Sequence, residues 1–302
     1  MKKLFLLLLL TFTLSAKTIT PNEVYSQVSL ITDEVHFLLN YYGIKHENNE
    51  ITKHPKVSTK LKPRNVWQMT YEIMVKINIL REDNNLPVIE PVNMSPVLNL
   101  NPDMVYEQTQ RILTELKIFE IRMGIKAPIF EKKIFKGKTS LDVYNALTHV
   151  SKNIDELNKG TVTPSFVFAE QMRVYEDITL LLERLKIEDK SIPSAKKLGS
   201  VPENAFDESL KLLEKIKQLQ IISGINFVDF SEFKKGNESP SDVFTITQMI
   251  LAELQTLKAY VGEDTITKAA IRYNTKTPSE VRQLVSWNLR KLNLIHSLNK
   301  GN

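Results

Sequence analysis

One short phrase is written eight times along this chain, with variations: a capping residue, a proline, then Val and an aromatic three and four positions beyond it. It begins as Thr20-Pro21-Asn22-Glu23-Val24-Tyr25 and returns at Lys62-Pro63, Asn101-Pro102, Thr139-Ser140, Thr163-Pro164, Val201-Pro202, Ser239-Pro240 and Thr277-Pro278. A Thr, Ser or Asn before Pro is a helix-start signal, because its oxygen caps free N–H groups and Pro stands where no N–H is needed. Counting each Pro (or Ser140) as zero aligns the segments without gaps. Position +3 is Val in seven copies and Ala205 in the other, and +14 runs Val35, Ile77, Leu116, Ile154, Ile178, Ile216, Leu254 and Leu292. With +7, +10 and +17 these positions form the 4-3-4-3 apolar seam of a bundle helix. At +22 stand Gly43, Gly124, Gly224 and Gly262, with Ile next in three of the four, the sequence of a left-handed helix stop.

The chain is therefore expected to be all-α, eight amphipathic helices of one pattern. The starts lie 42, 39 and 38 residues apart, then 24, then 38 three times. The single short step divides the array into two tandem four-helix modules, 17–160 and 161–302, related by internal duplication. The link between helices four and five predicts an antiparallel turn. The other linkers run to about 16–20 residues, long for a bundle. They leave two topologies, up-down neighbours or parallel helices with extended returns, and bundle practice favours antiparallel neighbours.

Residues 1–16 read as a secretory signal: Lys2-Lys3, an apolar run from Leu4, then Ser15-Ala16. Cleavage near Ala16 and residence in a bacterial periplasm are the expectations, with a retained anchor as the alternative. No later stretch is long and apolar enough to span a membrane. The 302 residues carry 40 Lys and Arg against 35 Asp and Glu without a basic block, which argues against nucleic acid, and contain no Cys.

Three columns invite a functional reading. The +4 aromatics (Tyr25, Trp67, Tyr106, Tyr144, Phe168, Phe206, Phe244, with Arg282 the outlier) offer either a stacking surface or packing beside the seam. At +7, a core position, Thr70, Thr109, Gln171, Ser209 and Thr247 are polar, which implies a ligand pocket or a hydrogen-bonded layer that fixes register. At +13 the residues Glu34, Lys76, Glu115, Asp177, Lys215, Glu253 and Lys291 alternate in sign from helix to helix, with Asn153 interrupting. That alternation predicts a charge ladder between successive helices, Asp177 facing Lys215 and Glu253 facing Lys291.

The five His residues (His36, His46, His54, His149, His296) show no metal spacing, and neither a phosphate loop nor a nucleophile motif is present. No cofactor or metal is expected. The sequence points to an exported, non-enzymatic binding or scaffold protein acting through its loops or the groove between modules, with an envelope protein or a small ligand as partner. The alternatives are a ligand sensor with a pocket in a bundle core and, less favoured, an enzyme with a loop-built site.

Overall fold

A computed structural model describes residues 18–45, 61–89, 100–159, 162–229 and 236–298. The signal-type segment, its expected cleavage point, His46 and His54 lie outside the described residues. Within them the protein is all-α and contains no strand. Its helices are α1 (Pro21–Tyr41), α2 (Pro63–Asp83), α3 (Pro102–Arg122), α4 (Ser140–Leu157), α5 (Pro164–Arg184), α6 (Pro202–Ile222), α7 (Pro240–Tyr260) and α8 (Pro278–Asn293).

The starts follow from the repeated phrase. The Glu23, Asp142, Asp242 and Glu280 carboxylates accept the N–H of the capping residue three positions back, at 2.7–3.0 Å. Where the cap is Lys62 or Val201, Asn65 and Asn204 accept that N–H instead, both at 3.1 Å. The stops follow from the left-handed residue. Gly124 has φ 69°, and Ile125 beyond it donates its N–H back to the Glu120 carbonyl at 2.8 Å, closing the helix end. Asn85 and Lys186 take the same conformation, φ 56° each, without being Gly.

All four starts of each set meet at one end. Pro21, Pro63, Pro102 and Ser140 surround one small apolar nook with Val24, Val66, Val105 and Val143. Pro164, Pro202, Pro240 and Pro278 do the same with Val167, Ala205, Val243 and Val281. The helices within each set are therefore parallel, which corrects the antiparallel neighbours favoured from the sequence. Linker length is the reason: about 16 extended residues reach ~50 Å, more than the ~32 Å of a 21-residue helix. Parallel packing brings four positive dipole ends together. An acid answers in the first turn of six helices, at Glu23, Asp103, Asp142, Glu203, Asp242 and Glu280.

α1 and α2 each pack on both α3 and α4, and α5 and α6 each pack on both α7 and α8. Each set is a square with α1 opposite α2 and α5 opposite α6. The three linkers described throughout return along the outside of the squares. From α3 to α4 the chain runs over α1, with Phe130 against Phe37, Lys133 on Asp33, Phe135 edge-on to Tyr25 and Lys138 N–H on Asn22. From α7 to α8 it runs over α5, with Thr267 on Asp177, the Lys268 carbonyl on Arg173, and Tyr273 edge-on to Phe168. From α5 to α6 it runs over α8, with Asp189 on Lys291 and the Ser194 carbonyl on Gln283.

The squares join through α2 and α7. Contacts ascend α2 while they descend α7: Asn65 with Glu253, Gln68 with Gln248, Glu72 with Thr245, Lys76 with Ser241. These two helices are antiparallel, so the two parallel bundles point in opposite directions. Both are buried far beyond the seam: Trp67, Met69 and Tyr71 on α2, and Ile246, Met249 and Leu251 on α7, all join the core.

Candidate functional site

The five polar +7 residues are fully buried inside the squares. Thr70, Thr109, Ser209 and Thr247 donate to backbone carbonyls of their own helices at 2.6–2.9 Å. Gln171 donates to Thr247 and accepts from Asn288, the one polar residue in the +10 column. These bonds tie α5, α7 and α8 at one height. None of the five lines either of the two cavities between α2 and the second square.

The +13 charges find partners other than those the ladder assigned. Asp177 accepts from Lys258 of α7 and Thr267 of the returning linker, both at 2.7 Å. Lys291 binds Asp189 at 2.5 Å and sits 4.0 Å over the Tyr175 ring. Glu253 takes Arg64, Asn65 and Gln220. Glu115 pairs with Arg81 at 2.7 Å, and Glu34 with Lys117 at 2.6 Å. Lys215 lines a broad groove on α6, where burial lowers its pKa from the ordinary 10.5. The geometry accounts for the two pairs the ladder named: α5 lies across a diagonal from α6, and α7 from α8, so Asp177 does not face Lys215 nor Glu253 Lys291. The +4 aromatics divide by place. Trp67, Tyr144, Phe206 and Phe244 are buried, whereas Tyr25 and Phe168 carry the returning linkers under Lys138 and Lys276, at 4.1 and 4.6 Å from the ring centres.

The chemistry concentrates at the seam between the squares, in three buried carboxylate clusters. Glu253 has donors on both oxygens. So has Glu170, which receives Tyr71 at 3.3 Å on one oxygen and Arg173 at 2.6 Å with Gln248 at 3.0 Å on the other. Arg173 also stacks 4.5 Å from the Tyr71 ring.

The third cluster differs. Lys76, 1% exposed, donates to Ser151 and Asp155 at 2.7 Å, to Ser241 at 2.9 Å, and lies 3.1 Å from Glu72. Ser151 donates to Glu72 and Ser241 to Asp155, each at 2.5 Å. Yet Glu72 Oε2, Asp155 Oδ1 and Tyr144 Oη are buried without a hydrogen-bond partner among the described residues. All three residues line one cavity of about 380 Å3. Its walls are α2 and α4 of the first square, α6 and α7 of the second, and the linker entering α7.

Electrostatics follow from the burial. Desolvation would lower the Lys76 ammonium, but Glu72 and Asp155 outweigh it and hold its pKa above the ordinary 10.5. Burial raises the Asp155 carboxyl above 3.8 despite its bonds to Lys76 and Ser241. Burial, then the nearby Glu72 carboxylate, pushes the Tyr144 phenol well up. Two carboxylates share one ammonium, so the cluster carries an excess negative charge in a place where charge is costly.

Of these residues the sequence marked Lys76 by its column and Tyr144 as an aromatic. It missed Glu72, Ser151, Asp155, Ser241 and Thr245. A signal was available: 65–71 on α2 and 243–252 on α7 contain no charged residue, so both helices were due to be buried on more than one face. No protein-family model matches the chain, and no curated protein or solved structure matches it.

Proposed function

We propose that the protein is an exported, non-enzymatic binding protein of the bacterial periplasm, acting through the cavity between its two bundles. The observation that carries this reading is the trio of buried, unpartnered polar atoms on Glu72, Asp155 and Tyr144 around one cavity. Each such atom costs roughly 1–3 kcal/mol when left unmet, and a bound molecule that meets them recovers that energy. A volume of about 380 Å3 suits a small organic molecule.

Lys76 and its neighbours speak for binding and against catalysis. A lysine acting as base or nucleophile must be neutral near pH 7, and here two carboxylates keep it protonated. The Ser151 and Ser241 hydroxyls donate to carboxylates, bases too weak to activate them. The bundles themselves, we propose, arose by duplication of a four-helix module, and the ligand site lies where the two copies meet.

Native mass spectrometry of the mature protein from its own envelope tests the reading. The expected spectrum contains a small-molecule adduct that is released on denaturation. A chain mass without adduct, together with no thermal shift across a broad metabolite panel, overturns it.

A further inference from the structure

We propose that the cavity between the bundles takes an organic cation, a small primary amine whose ammonium group lies against Glu72, Asp155 and Tyr144. This rests on the reading of the cavity as a ligand site and adds the class of ligand.

The cavity walls leave two carboxylate oxygens and one phenol unmet. Glu72 Oε2 and Asp155 Oδ1 accept only, and Tyr144 Oη both accepts and donates. An ammonium supplies three donors and no acceptor, the complement of that set. Charge agrees. The lining carries Glu72, Asp155, Glu156, Glu238 and Asp242 against Lys76 and Lys152, and the Lys76 ammonium is already committed to Glu72, Asp155 and two serines. An anion would meet this surplus directly, and a neutral polyol would leave it uncompensated. A metal ion is a poorer fit, since the described residues contain no group of three or more His, Cys, Asp or Glu placed to hold one. Tyr144 and Phe206 also line the cavity and suit an alkyl stem or a cation over a ring.

The contrast along the seam strengthens the assignment. Glu170 and Glu253 sit at the same interface with donors on both oxygens. Those two carboxylates are met by the chain itself, whereas Glu72 and Asp155 each keep one buried oxygen unmet; Gln68 Oε1 is a further unmatched acceptor at the seam, outside the cavity lining.

Calorimetric titration of the mature protein tests this with butylamine, 1,4-diaminobutane, butane-1,4-diol, succinate, Mg2+ and Ca2+. The amines are expected to bind, and the diol and succinate are not. Asp155→Asn is expected to weaken amine binding at least tenfold, while Lys211→Gln, on the exposed face of α6, leaves it unchanged. Should Asp155→Asn fail to fold, Tyr144→Phe decides. It removes a buried unmatched hydroxyl, so it should raise the melting temperature of the free protein while weakening the amine about three- to tenfold. A purely structural role for Tyr144 would leave amine affinity unmoved and overturn the assignment.

The outcomes separate the two claims. Binding of the diol or succinate without the amines overturns the cation class and leaves the cavity reading standing. Mg2+ or Ca2+ binding that Asp155→Asn abolishes replaces the amine by a metal. Amine binding indifferent to both Asp155→Asn and Tyr144→Phe places the amine elsewhere and overturns the proposal. No binding by any probe, with no shift from a wider metabolite panel, overturns both.

Discussion

Glu34 is a residue whose column the sequence found and whose behaviour it could not. It shares the Lys117 ammonium with Glu120, at 2.6 and 3.1 Å. Burial first, and then Glu120, raises its pKa from 4.5 to about 7 against the pull of Lys117. The folded protein thus holds a proton at Glu34 that the unfolded chain releases near pH 4.5. Stability from this group is full below that value and is lost as pH rises to about 7. Glu34→Gln mimics the protonated form, so its melting temperature relative to wild type should climb between pH 5 and pH 8. A gain of about 2–4 °C is expected, the shift that roughly 1 kcal/mol produces in a chain of this size. A difference that stays flat across that range would refute the raised pKa of Glu34. Lys76 shows why such roles were hidden. Its partners Asp155 and Ser241 stand 79 and 165 residues away, on helices whose mutual placement no local pattern encodes.

The helices themselves were largely legible. Capping chemistry, seam spacing and the left-handed stop are local, and each left a mark that survives in the structure at Thr20, Val24 and Gly43. What misled the sequence reading was direction. A linker such as 123–139 is compatible with either topology until Phe130, Lys133 and Phe135 are seen gripping α1 from its end back to its start. The +4 aromatics on α1 and α5 pack against these returning linkers, while those on α2, α4, α6 and α7 are buried. The stops give a direct test. Lys186 holds the left-handed conformation, φ 56°, while Ile187 closes α5 onto the Leu182 carbonyl at 2.9 Å. A side chain there costs about 1 kcal/mol that Gly avoids. Lys186→Gly should therefore stabilise the protein by about 0.5–1 kcal/mol in urea unfolding. A destabilisation would mean that the Lys side chain contributes more than the backbone conformation costs.

At the scale of the whole molecule, two parallel squares lie in opposite directions and meet on α2 and α7. That interface was out of reach of the repeat pattern, because the repeat describes what all helices share and the interface uses what only two possess. It is also where buried polar atoms go unmatched, between residues that both bundles supply. A competing surface exists on the returning linkers, where Ile129, Ile134, Ile192 and Leu198 are 71–97% exposed and could meet a protein instead. Hydrogen exchange of the mature protein, with and without a small-molecule extract of its native envelope, separates the two most directly. Binding in the cavity predicts slowed exchange confined to the segments that line it, around 72–76, 144–156 and 236–249. Slowed exchange at 129–134 and 192–198, with the cavity segments unchanged, would contradict the account and place the function on the linkers.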